Sequence, residues 1–86
     1  SALMTVSMIV LVLYLNGSAI EFLGHTERSD GTWARLTVGE CLSYKRTLKR
    51  NGWKDSASGT TRYSCEKRTV KVGPNYEGKE IVKGLE

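Results

Sequence analysis

The chain has one histidine, one proline and two cysteines in 86 residues. A zinc site takes three or four nitrogen, sulfur or carboxylate ligands at set spacing. His25 with Glu27 and Asp30 offers only a weak set, and a solvated loop histidine is the expected state. Cys41 and Cys65 do not form a Cys-x-x-Cys pair, which argues against a thioredoxin-like centre. Glycine-rich phosphate loops, paired-carboxylate motifs and a Gly-x-Ser-x-Gly elbow are all missing. A Cys–His nucleophile would need His25 beside Cys41 or Cys65 and a third orienting group, and the spacing offers none. No catalytic, metal-ligating or cofactor-binding residue is assigned, and an enzyme has no visible machinery.

Long hydrophobic runs are missing too. Val6 to Leu15 is apolar but shorter than the roughly 20 residues that span a bilayer, so no membrane partner is expected. A secretory signal core has about this length, yet it follows basic residues, and the first Lys or Arg here is Arg28. Ser1–Leu3 precede Met4 and are set aside as a tag remnant, which leaves one small domain over 4–86. A chain this short is marginal unless a disulfide, a metal or oligomerisation helps it.

What is present begins with Met8 to Leu23, an apolar stretch broken by Asn16-Gly17. Asn-Gly is a strong hairpin signal, because both central positions of a type I′ turn need positive φ. A two-residue turn sets Leu13 opposite Ile20 and Leu11 opposite Phe22. Strand side chains alternate between faces. One face then holds Ile9, Leu11, Leu13, Ile20 and Phe22, and is a core. The other holds Met8, Val10, Val12, Tyr14, Ala19, Glu21 and Leu23, and is too apolar for an ordinary solvated face. Either other segments of the chain cover it or a second copy does.

Gly24 to Trp33 lacks periodicity and reads as a loop or frayed strand end. Thr37-Val38-Gly39-Glu40 is a capping box. It predicts a helix from Val38 to about Asn51, closed by Gly52. Val38, Cys41, Leu42, Tyr44 and Leu48 form its apolar arc, with Lys45 and Lys49 snorkelling at the edge. Lys54 to Gly59 is a polar loop. Thr60 to Val72 predicts a strand, but Tyr63 and Cys65 lie on one parity and Val70 and Val72 on the other. A bulge near Glu66 to Thr69, or a strand change there, would reconcile the halves. Glu80 to Lys83 adds a short last strand or a mobile tail.

The order β-β-α-β predicts an α+β fold: a three- or four-stranded antiparallel sheet, spatial order 2-1-3, with one helix across a face. Met8, Val10, Val12, Tyr14 and Leu23 on the other face are the candidate interface of a homo-oligomer, a dimer first. Cys41 and Cys65 both point between helix and third strand. They are either a disulfide or two buried thiols. Reduced thiols fit a cytoplasmic protein, whereas a disulfide fits an exported one or oxidation after lysis.

The net charge is +4 and the isoelectric point about 9.3, unevenly distributed. Lys45 to Lys71 holds nine basic residues and two acidic ones, a net of +7; the four basic and seven acidic residues elsewhere leave −3. Arg46, Arg50, Trp53, Lys54, Arg62, Lys67 and Arg68 are the candidate contacts to a nucleic acid, with Trp53 available to stack on a base. A solvated helix end and polar sheet face would carry the same residues. Two functions are thus carried forward: a self-associating interaction protein, and an electrostatic binder of nucleic acid.

The pieces Ile9-Val10-Leu11-Val12-Leu13-Tyr14-Leu15-Asn16-Gly17, Glu40-Cys41-Leu42 and Tyr63-Ser64-Cys65-Glu66 give a layout similar to small uncharacterised proteins of marine bacteriophages. Those also open on a short hairpin strand and carry one cysteine in a helix and one in a late strand. The resemblance implies no activity and transfers no site residue.

Overall fold

Asn16 and Gly17 take φ angles of 52° and 82°, the left-handed backbone of a primed two-residue turn. This turn joins β1 (Met4–Leu15) to β2 (Ser18–Leu23). The computed structural model describes residues 3–50 and 61–85. The other elements are β3 (His25–Glu27), β4 (Trp33–Arg35), α1 (Val38–Arg50), β5 (Thr61–Pro74) and β6 (Glu80–Leu85). The fold is α+β. Its main sheet has the order β2-β1-β5-β6, and β3 pairs with β4 alone. All the pairings are antiparallel. The first strand is central, with the strand after the helix beside it, as the β-β-α-β order predicts.

The hairpin register departs from the simple two-residue reading. Tyr14 pairs with Ala19, but Leu13 pairs with Glu21, Val12 with Phe22 and Leu11 with Leu23. Ile20 is an extra residue, and a one-residue slip moves every later side chain to the opposite face. Phe22 therefore joins Val12, while Glu21 and Leu23 join Leu13 and Leu11.

Two small cores lie on opposite faces of β1. On the helix side, Leu11, Leu36 and Cys41 are buried, with Ile9, Leu48, Tyr63 and Cys65 packed against them. On the other side, Met8, Val10, Val12, Val70 and Val72 are buried, with Val6, Tyr14, Ala19, Phe22, Val82 and Leu85 around them. The second face is covered by the chain itself. The sheet curls until its terminal strands β2 and β6 approach each other. A Cβ on Gly24 would lie 2.7 Å from both Met8 Cε and Val82 Cγ2, so the β2–β3 junction presses directly onto β6.

The bulge expected in β5 is not there. β1 and β5 run in unbroken register from Met4↔Val72 to Leu15↔Thr61. The two parities coexist because the buried face changes along the strand. Tyr63 and Cys65 lie under the helix, while Val70 and Val72 lie inside the curl.

At the helix start, Glu40 N donates to Thr37 Oγ1 (3.1 Å) and Thr37 N donates to Glu40 Oε1 (2.9 Å), the reciprocal capping box. The helix is rotated from its expected arc. Cys41 is fully buried and Lys45 and Leu48 half-buried, whereas Val38, Leu42 and Tyr44 are exposed. A disulfide joins Cys41 to Cys65, with 6.1 Å between Cα atoms. It crosses from helix to β5 where little apolar surface holds the helix down. The expected helix end at Asn51-Gly52 and the loop Lys54 to Gly59 lie outside the described residues.

Candidate functional site

The helix-side face of the sheet has two zones. Ile9, Leu11, Tyr63 and Cys65 lie beneath α1. Beyond them, Thr5 pairs with Lys71, Ser7 with Thr69 and Ile9 with Lys67. Thr5, Ser7, Lys67, Thr69 and Lys71 are all exposed. Lys83 of β6 reaches the same face, its side chain 3.6 Å from where a Gly73 Cβ would stand. α1 carries Lys45, Arg46, Lys49 and Arg50 in its C-terminal half, and the last three line a shallow depression at the helix end.

The ion pairs lie elsewhere. Arg28 grips both oxygens of Glu40 at 3.1 and 3.0 Å, and Arg35 grips both oxygens of Glu80 at 2.8 and 3.1 Å. Arg68 donates to Glu66 at 2.8 Å. Among the described residues, none of the helix cations Lys45, Arg46, Lys49 and Arg50 is in an ion pair, nor are Lys67, Lys71 and Lys83 on the sheet. Among the described residues of this sheet face, the carboxylate is Glu21, at the far β2 corner opposite Leu13. Among the described residues, no carboxylate is ion-paired to these cations.

The predicted nucleic-acid residues divide. Arg46 and Arg50 lie on the outer side of α1, and Lys67 on the helix-side sheet. Arg62 and Arg68 fall on the opposite face, because even-numbered residues of β5 point away from the helix. Arg62 stacks over the Tyr14 ring at 4.2 Å. Tyr14 donates to the Glu66 carboxylate at 2.9 Å, and Arg68 donates to Tyr14 Oη at 3.1 Å. Burial acts to raise the Glu66 carboxyl, but bonds from Arg68, Ser64 and Tyr14 hold it below its usual value. Trp53 and Lys54 lie outside the described residues. Lys71 and Lys83 were not assigned from sequence; Lys71 shares the parity of Lys67, a signal that was legible.

The candidate interface is corrected. Met8, Val10 and Val12 are buried at 6, 0 and 0 % exposure within the single chain, sealed by the curl. Tyr14 is half-buried and tied to Glu66. Leu23 is exposed, but on the helix side, because of the Ile20 bulge. Leu13, Ile20 and Leu23 instead line an apolar cleft with Leu11, Leu48 and Tyr63 beside the edge strand β2.

His25 is also corrected. It is 4 % exposed and lies in β3, with Nε2 2.7 Å from Glu80 Oε1 and its ring stacked parallel to Trp33. Trp33 Nε1 donates to the Glu80 carbonyl at 2.8 Å. Thr26 and Tyr44 join their hydroxyls beside it. These contacts fasten the β3–β4 hairpin to β6 and α1. Among the described residues, no three His, Cys, Asp or Glu side chains gather to hold a metal ion. No helix among them is long and apolar enough to cross a membrane.

Fold and surface define a small basic α+β protein whose helix is covalently docked on a curled sheet. Comparison with protein-family models, curated proteins and solved structures finds no match. Its function must be argued from its own residues.

Proposed function

We propose that this is a small basic protein that binds nucleic acid electrostatically through its helix side. The supporting observation is the segregation of charge. Among the described residues, Arg28, Arg35 and Arg68 pair with Glu40, Glu80 and Glu66, and the cations of α1 and the Lys67–Lys71–Lys83 zone enter no ion pair, so they can meet an external anion. Surface lysines alone would serve solubility. Here Lys67 and Lys71 share one face of β5 with Thr69, opposite Ser7 and Thr5 of β1, and hydroxyls bond phosphate oxygens well. The test is retention on DNA or RNA as salt is varied. The logarithm of affinity should fall linearly with the logarithm of salt, and Arg46→Glu with Arg50→Glu should weaken it. An absence of binding at low salt defeats this reading.

A second reading, self-association, has its own observation. β2 is a terminal strand, and an unpaired strand edge is a template for pairing with another copy. The apolar cleft of Leu13, Ile20 and Leu23 lies beside it. Sedimentation should then show a dimer that Leu23→Glu dissociates without unfolding; a monomeric wild type at high concentration rejects it.

A further inference from the structure

Tyr76 is 96 % exposed, although the turn that carries it is rigidly bonded. Asn75 N donates to the Lys79 carbonyl at 2.7 Å, and Gly78 N donates to the Asn75 carbonyl at 3.0 Å. The Asn75 side-chain oxygen accepts from the amides of Glu77 (2.8 Å) and Lys79 (3.0 Å). Gly78 supplies the left-handed φ of 82°. None of these bonds uses the tyrosine side chain, so the turn forms without it. The other described aromatic rings have work inside the chain. Phe22 and Tyr14 pack on the inner core, Trp33 stacks on His25, Tyr44 bonds Thr26 and Tyr63 packs beneath the helix.

The turn stands at the end of a lysine track. Lys67 and Lys71 share the helix-side face of β5, and Pro74 ends that strand. At about 3.3 Å per residue, Lys67 to Pro74 covers about 23 Å. Lys83 flanks the track from β6. A row of cations that ends at an exposed aromatic ring suits unpaired nucleic acid, since every base offers a π-face for stacking. A duplex keeps those faces stacked internally, so a projecting ring finds no partner in it. Glu77 places one negative charge beside the ring, which weakens phosphate contact at the turn but not base stacking.

We infer that the helix-side surface takes single-stranded nucleic acid, with Tyr76 stacking on a base beyond the Lys67–Lys71 track. This rests on the electrostatic reading above and adds its substrate class. Tyr76 is a binding residue in this scheme, and its substitution leaves the fold intact because the side chain is almost wholly in water.

The experiment measures fluorescence anisotropy of a labelled oligothymidine of about 20 nucleotides. The full chain is used, unreduced, beside a duplex of equal length and phosphatidylserine-containing vesicles. The expected result is tighter binding to the single strand. Tyr76→Ala should weaken it by about 5- to 150-fold, the range for loss of one stacked base, with Tyr76→Phe near wild type and the salt slope unchanged. Duplex binding as tight as single-strand binding, or an unaltered Tyr76→Ala affinity, overturns the inference while leaving electrostatic binding in place. No salt-dependent binding to either nucleic acid overturns the electrostatic reading beneath it. Binding to the vesicles alone overturns both.

Discussion

His25 and Glu80 stand 55 positions apart in sequence, and their side chains meet at 2.7 Å between Nε2 and Oε1. Through this contact the β3–β4 hairpin is fastened to β6, one edge strand of the curl that buries Val10 and Val12. Arg35 grips the same carboxylate from β4. Glu80 thus closes both strands of that hairpin onto β6.

Acid should loosen this closure. The Glu80 carboxyl is held down to about 2, first by Arg35, against the opposing effect of burial, with His25 assisting. A carboxyl depressed in the folded state contributes stability above its unfolded value, and loses it as pH falls toward the folded one. With an ordinary value of 4.5, the thermal midpoint should fall between about pH 5 and 2. Glu40, also held to about 2 by Arg28 and the Thr37 amide, contributes in the same window. Glu80→Gln should flatten the acid limb and lower neutral-pH stability by about 1–3 kcal/mol, since Arg35 loses its charged acceptor. Parallel acid limbs in wild type and variant would contradict this.

Gly24 should tolerate no side chain without adjustment. A Cβ there would meet Met8 Cε and Val82 Cγ2 at 2.7 Å. The Met8 methyl is the end of a flexible chain and can swing aside; the Val82 methyl is stiff. Gly24→Ala should cost about 1–3 kcal/mol by overpacking, and Val82→Ala in the same chain should recover part of that loss. Denaturant titration of the four chains of this cycle measures the coupling, and simple additivity would show that the junction and β6 do not press together.

Much of this architecture was legible locally. Asn16-Gly17 marks the turn, Thr37 and Glu40 mark the helix start, and the doubly apolar β1 marks a central strand. Cys41 and Cys65 were on facing sides of helix and strand, and they are bonded. The hairpin register was not legible, because no local signal makes Ile20 an extra residue, and that one residue moved Phe22 and Leu23 to opposite faces. The fate of Met8, Val10 and Val12 was one of two open readings, and the curl that decides it depends on contacts more than 50 positions apart. His25 looked like a loop residue for the same reason: its strand has three residues, and its partner Glu80 lies near the far end of the chain. The basic segment was legible as a composition, but only the unbroken parity of β5 shows Lys67 and Lys71 on one face and Arg62 and Arg68 on the other.

Removing the disulfide should free the helix before the sheet. The bond closes a segment of 24 positions, and a loop of that size gives about 3 kcal/mol in the chain-entropy model. Val38, Leu42 and Tyr44 remain exposed on α1, so noncovalent docking is modest. The double variant Cys41→Ala, Cys65→Ala should lose about that stability. Hydrogen exchange should quicken in α1 while the β1–β5 amides stay protected. Equal loss of protection in helix and sheet would show that α1 and the sheet open as one unit.

Charge reversal should act by face rather than by position in sequence. Arg62 and Lys67 are both exposed cations of β5, but odd and even residues of that strand project to opposite sides. Lys67 lies on the helix side, paired with Ile9 of β1. Arg62 lies over Tyr14 on the far side. Lys67→Glu should therefore weaken nucleic-acid binding and reduce the salt slope by roughly 0.7 to 0.9, the change for one lost phosphate contact. Arg62→Glu, the same change of charge on the other face, should leave affinity and slope near wild type. Stability controls on both variants separate binding from folding, since surface substitutions usually change stability by under about 0.5 kcal/mol. Equal weakening by the two variants would mean that net charge alone governs binding, and that the helix-side surface is not the site.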